Sequence, residues 1–290
     1  MLFAEFLRKK TVTAIETALT FTCQDQQLIG IHHSPQNPAK KGVLIIVGGP
    51  QSRAGSHRLF TLLARHLAQN GYPVFRFDYR GMGDSSGAER NFEDIHEDIC
   101  CALDAFSAAS PHVSEFVLWG LCDAASAAVC YASADARVTG MVLLNPWIRT
   151  NRTEAQTFLK YYYVRRFAEP AFWKKLSGEK FYLFKAAGSV FKQLKLAYQP
   201  DSQPQNDLPI RMLSGMRRFN GPALFILSGN DLTAKEFMHV TNSSREWQQL
   251  LLESRFSRQE LDQADHTFSC KIWRDQIAKW TVDWLSENTG

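Results

Sequence analysis

The chain has 290 residues, 45% of them hydrophobic and 21% charged, and a formal net charge of +4. Those values suit one large domain, or one domain with a sizeable insertion, whose core needs no disulfide staple. The sequence holds no internal repeat and no low-complexity tract, and so even a charge balance carries no expectation of a nucleic-acid partner.

The charge is unevenly spread. Residues 151–200 hold ten Lys/Arg against three Asp/Glu. A local basic surplus points to something anionic, such as a phosphorylated carrier, an acidic protein or a lipid surface. A solvated helical face is the alternative. The six cysteines form no Cys-x-x-Cys pair, and no His/Cys cluster has zinc spacing. A reducing, cytoplasmic setting without metal or cofactor is therefore expected. The opening "MLFAEFLRKKTVTAIETALTF" has no apolar core with a small-residue cleavage site. No stretch approaches the roughly 20 apolar residues that span a bilayer, which leaves peripheral membrane contact open.

In chain order, "AIETALTFTC" and "QLIGIHHSP" read as a strand pair joined by the polar turn "QDQ". "KGVLIIVGG" is a continuous apolar run, as a fully buried strand should be. In "SHRLFTLLARHLAQNG", Leu59, Leu62, Leu63 and Leu67 fall at helical spacing and Gly71 stops the helix. "YPVFRFDYRG" is a buried strand. "FEDIHEDICCALDAF" is a helix with Ile95, Ile99, Leu103 and Phe106 on one face. "VSEFVLWG", "AASAAVCYASA" and "VTGMVLLNP" continue as strand, helix and strand. The rhythm then breaks into a helical, aromatic, basic stretch. "GPALFILSGND" restores the sheet, "VTNSSREWQQLLES" reads as a helix, "FSRQELDQADHTF" as a short strand and loop, and "CKIWRDQIAKWTVDWLSE" as a last amphipathic helix. The plan is α/β: a mostly parallel sheet with helices on both faces. Residues 1–149 form its first part, 150–215 a helical cap insertion, and 216–290 its second part.

Reactive groups in such sheets gather at the carboxyl ends of strands. Cys122, Asp231 and His266 sit there, in the nucleophile–acid–histidine order of the α/β-hydrolase fold. Cys122 lies at a tight strand-to-helix step flanked by Gly120, Ala124 and Ala125, at a helix amino terminus that favours an anion. Asp231 closes "ILSGND" and is placed to hold an imidazole in one tautomer. His266 sits in the polar loop "ADHTF" and is placed to take the thiol proton. The alternatives are a buried structural cysteine, an Asx turn and a loop histidine.

An oxyanion needs donors. One is expected from the backbone N–H of Asp123. The other is expected from the loop "GGPQSRAGSHR", at Gln51 or a nearby amide, because Pro50 has no N–H. Arg53, His57 and Arg58 in that loop are candidates to grip an anionic substrate group, or are surface residues of a helix start. Asp78 and Arg80 in "FDYRGMGDSSG" are expected to tie that loop down.

Together "GGPQSRAGSHRLF", "RFDYRGMGDSSG", "WGLCDAASA", "LSGND" and "ADHTF" resemble an α/β-hydrolase. More narrowly they resemble the exosortase A system-associated hydrolase 1 family, over nearly the whole chain from about residue 15. The resemblance implies a Gram-negative bacterium and a gene neighbourhood of exopolysaccharide synthesis and exosortase-dependent protein sorting. It implies no substrate.

The leading expectation is acyl transfer by Cys122, His266 and Asp231 through a thioester acyl-enzyme, as a thioesterase, esterase or acyltransferase. The substrate would be a small acyl ester or thioester, carried on coenzyme A or an acyl carrier protein. Tyr162 and Trp173 in the insertion are expected to line an acyl pocket; burying the insertion on the sheet is the plainer role for most of its aromatics. A dienelactone-type lactone hydrolase and a non-catalytic binding or scaffold protein with this fold are the other readings.

Overall fold

Gln24 and Asp25 both take positive φ, at 45° and 61°. Two successive left-handed residues make the tight turn whose twist suits a hairpin. Strand β1 (Ile15–Cys23) therefore returns directly as β2 (Gln26–Ser34), paired residue for residue. The structure, a computed structural model, describes residues 14–49, 51–148 and 208–288.

The hairpin begins an eight-stranded sheet that continues with β3 (Lys41–Ile46), β4 (Val74–Asp78), β5 (Glu115–Leu121), β6 (Val138–Leu144), β7 (Ala223–Ser228) and β8 (Phe256–Leu261). The spatial order is β1-β2-β4-β3-β5-β6-β7-β8. β2 pairs antiparallel with both β1 and β4, and the strands from β4 across to β8 run parallel. Central strands buried on both faces cannot alternate apolar with polar residues. That is why β3, β4 and β7 are buried at every position. β8, at an edge, carries Arg258 and Glu260 into solvent, where charge discourages pairing with another chain.

Seven helices follow among the described residues: α1 (Leu59–Gln69), α2 (His96–Ala109), α3 (Asp123–Ala132), α4 (Leu208–Arg218), α5 (Leu232–Ser243), α6 (Arg245–Leu251) and α7 (Lys271–Glu287). Strand side chains alternate between two cores. Val43, Ile45 and Trp119 meet Phe60, Leu63 and Leu67 of α1 and Ile277 and Leu285 of α7. Leu44, Ile46 and Leu118 meet the apolar faces of α2 to α6. This is the expected layered architecture.

Details differ from the sequence-based expectation. Leu62 is 39% exposed; Phe60 and Ala64 turn inward instead. Gly71 ends α1 as expected: at φ 90° its N–H reaches Ala68 O at 3.1 Å, and Tyr72 N–H reaches Leu67 O at 3.1 Å. The segment expected as one helix from residue 240 is split. Ser244 is extended (φ −110°, ψ 120°), and its hydroxyl accepts the Trp247 N–H at 3.4 Å, so it closes α5 and caps α6. Helix α4 runs past residue 215 to Arg218 and approaches α3 closely: a Cβ on Gly215 would stand 2.5 Å from Val129 O. The rest of the expected cap, with Tyr162 and Trp173, lies outside the described residues. No described helix is long and apolar enough to cross a membrane.

Candidate active site

The step from β5 into α3 places Cys122 at φ 64°, ψ −124°. A side chain in this sparsely populated region costs on the order of 1–3 kcal/mol, and such strain persists only where the surroundings impose it. Here Cys122 N–H donates to Leu144 O at 2.9 Å, and Cys122 O accepts the N–H groups of Ala125 and Trp147, each at 3.1 Å. The turn is so tight that a Cβ on Gly120 would lie 2.6 Å from the Ala124 carbonyl. The small residues around the cysteine are thus a steric requirement. Cys122 is half-buried and is a free thiol.

Asp231 follows β7 and does two jobs. Its carboxylate caps α5, accepting Thr233 N–H at 3.2 Å and Ala234 N–H at 3.1 Å. The same carboxylate meets His266 Nδ1 at 2.9 Å. The Asx turn and the orienting acid, weighed as alternatives from the sequence, are one residue. His266 is pushed up to about 10, first by its hydrogen bond to Asp231 and then by its hydrogen bond with Cys122. Burial opposes this, and the two neighbours prevail. The imidazole thus joins the other two side chains.

The loop that holds His266 is itself pinned by residues the sequence did not single out. Asn145, at the end of β6, has φ 42° and is fully buried. Its Nδ2 donates to His266 O at 3.1 Å and to Ser228 Oγ at 2.9 Å, while its Oδ1 accepts Ser228 N–H at 2.8 Å. Ser228 Oγ in turn donates to Asp265 O at 2.9 Å. A polar residue directly after the buried apolar run "MVLL" and directly before Pro146 was the available signal.

The loop after β3 departs from expectation. Gln51 does not offer its amide to the site: its N–H donates to Gly49 O at 2.8 Å, and its side-chain oxygen accepts Ser56 N–H at 3.0 Å. The amide turned toward the site is that of Gly49, 2.8 Å from Asp123 Oδ2. Arg53 is not free to grip a substrate anion. Its guanidinium is shared between buried Asp78 and Asp84, the latter at 2.7 Å, and its N–H also donates to Asp78. Asp78 thereby latches the β3 loop to the β4 loop. Arg80, also buried, is held by both oxygens of Asp98 (2.9 and 2.8 Å) and by Glu97 (2.8 Å). The tethering role expected of Asp78 and Arg80 is what these bonds perform. His57 and Arg58 are exposed, both left-handed (φ 52° and 59°), just before α1.

Asp123 contributes more than its backbone. Its Oδ1 accepts Ala124 N–H at 2.9 Å while Oδ2 takes Gly49 N–H. Burial raises its carboxyl above the ordinary range; the amide bonds and the charge of His266 pull the other way.

A side chain on a strained elbow after β5, an acid after β7 and a histidine before the last helix, on this strand order, define an α/β-hydrolase fold. The chain belongs to the serine aminopeptidase S33 family, which matches residues 38–220. That family's name specifies serine; the elbow residue here is Cys122. No curated protein matches the chain. Among solved structures it is similar to an esterase of Pyrococcus furiosus, at 17% identity and a TM-score of 0.66, covering 96% of this chain and 92% of that one. It is similar to the acylaminoacyl peptidase of Pyrococcus horikoshii at 15% identity and a TM-score of 0.61, over 97% of this chain and 43% of the peptidase. A protein of unknown function from Agrobacterium tumefaciens, described as an α/β-hydrolase, gives 15% and 0.58 over 93% and 95%. At these identities the likeness is one of fold.

Proposed function

We propose that the chain is an acyl-transfer enzyme that works through a Cys122–His266–Asp231 triad. The carrying observation is the placement of His266 between Asp231, 2.9 Å from Nδ1, and Cys122 on the strained elbow. In this reading the Cys122 proton passes to His266 and the sulfur attacks the carbonyl of an ester or thioester. The carbonyl π pair moves onto oxygen, and collapse of that intermediate expels the leaving group, which takes the proton held by His266. Asp231 keeps the imidazole oriented and stabilises its charge.

Sulfur in place of oxygen makes the acyl-enzyme a thioester. It keeps more acyl-transfer potential than an oxyester, so water or another acceptor can resolve it. This supports a thioesterase, esterase or acyltransferase acting on a coenzyme A or carrier-protein acyl group, in a cytoplasmic setting. The domain reading places residues 150–215 as a cap between two core segments, 1–149 and 216–290, with Tyr162 and Trp173 lining the acyl pocket. The exosortase-associated family supplies an exopolysaccharide context for that chemistry.

Intact-mass spectrometry after incubation with acyl thioesters of short to long chain tests the reading. Wild type gains one acyl mass at Cys122, Cys122→Ala gains none, and Cys122→Ser gains it slowly or not at all. Folded wild-type protein that takes up no acyl group across the whole series overturns it.

A further inference from the structure

An oxyanion formed beside Cys122 needs the amides at the start of α3 and in the β3 loop. Those amides are already engaged. Gly49 N–H points to Asp123 Oδ2 at 2.8 Å, Ala124 N–H to Asp123 Oδ1 at 2.9 Å, and the Asp123 N–H also acts on its own carboxylate. The seat is shaped for this occupant. A Cβ on Gly48 would stand 2.1 Å from Asp123 Oδ1 and 2.9 Å from Leu121 O, so only glycine leaves room for the carboxylate there. Gly49, at φ 58°, turns its N–H inward from a conformation that L side chains rarely adopt.

We infer that the Asp123 carboxylate is a built-in occupant of the oxyanion hole, which holds acyl transfer back until a substrate displaces it. The inference rests on the acyl-transfer reading above and adds a restraint to that site. The reasoning is electrostatic. When the Cys122 sulfur bonds to the acyl carbon, the carbonyl oxygen gains a negative charge that must be met by these N–H groups. A carboxylate on the same donors both occupies them and repels the new charge. Side-chain rotation of Asp123 frees the donors without moving the backbone. The restraint therefore favours substrates whose binding draws Asp123 out of its seat, and it protects a reactive thiol from adventitious esters.

Alkylation and acylation of Cys122 separate the two ideas. Iodoacetamide reacts with the thiol without forming an oxyanion, whereas p-nitrophenyl acetate must form one. The rates of both are measured by mass spectrometry at Cys122 in wild type, Asp123→Ala and Asp123→Asn. The expected result is that Asp123→Ala raises the acylation-to-alkylation ratio by about 10-fold or more, one freed oxyanion donor being worth roughly 10²–10³ elsewhere. Asp123→Asn keeps the side-chain volume and an acceptor oxygen for the Ala124 N–H, so it guards against misfolding, and should raise the ratio by less. An unchanged or lower ratio in both variants, with alkylation intact, overturns the inference and leaves the acyl-transfer reading standing. Alkylation of Cys122 without acylation in wild type and both variants overturns the inference together with that reading.

Discussion

Asp231→Asn separates the two roles carried by one carboxylate. Asparagine caps helices about as well as aspartate, so α5 should keep its first turn. The amide has one acceptor oxygen for three donors: Thr233 N–H, Ala234 N–H and His266 Nδ1. At least one bond is lost, and folding stability should fall by about 0.5–1.5 kcal/mol. The effect on chemistry should be far larger. The hydrogen bond to Asp231 is the first cause of the rise of His266 to about 10, so His266 should titrate much nearer its ordinary 6.5 in the variant. If the amide presents its NH₂ to Nδ1, the imidazole also takes the wrong tautomer. A loss of about 10⁴ in turnover accompanies that change in Ser-His-Asp triads. The assays are NMR titration of the His266 ring, acylation of Cys122 by p-nitrophenyl acetate, and urea denaturation of the same preparations. A stability loss in this range with less than a 10-fold drop in acylation would show Asp231 to be a helix cap alone.

The pH dependence of stability carries a definite sign. Because His266 titrates near 10 in the folded chain and near 6.5 unfolded, the stabilisation it supplies is whole below about 6.5 and lost as pH rises through about 10. The stability difference between wild type and His266→Gln, followed by urea denaturation, should shrink across that window; a constant difference would refute the assignment. Gly120→Ala puts a Cβ 2.6 Å from the Ala124 backbone, which cannot swing aside. It should cost about 1–3 kcal/mol and misplace Cys122, with a matching fall in its acylation rate. Asn145→Ala leaves the buried Ser228 N–H unpaired and releases the His266 carbonyl. A loss of about 1–3 kcal/mol is expected, with acylation falling more than alkylation at Cys122.

The sheet was legible because its central strands are buried on both faces and cannot disguise themselves with polar residues. "VLIIV" and "ALFIL" announce β3 and β7 directly. Cys122 and Asp231 were legible because each follows such a run; His266 follows the polar edge strand β8 and was read from its place in the loop before the last helix. Other features depend on torsions and rotamers that residue types leave open. Gln51 was a reasonable donor until Gly49, at φ 58°, directed its own N–H inward and took that of Gln51 on its carbonyl. Arg53 reads as a free cation until Asp78, 25 positions away, arrives beside it. Asp123 offers a backbone amide in sequence; only the fold shows where its carboxylate turns. Ser244 sits in a polar, helix-compatible stretch, and its extended torsions are what divide α5 from α6.

The tie from Asn145 to the His266 loop spans 121 residues, and the one from Asn145 to Ser228 spans 83. Closing such long loops is entropically expensive and comes late in folding. Cys122 and His266 are thus separate until β6 and β7 have docked and the chain between them has been accommodated. If the proposed triad acts, acylation at Cys122 is then a certificate of completed assembly, and its rate of appearance during refolding can serve as a clock for the final step.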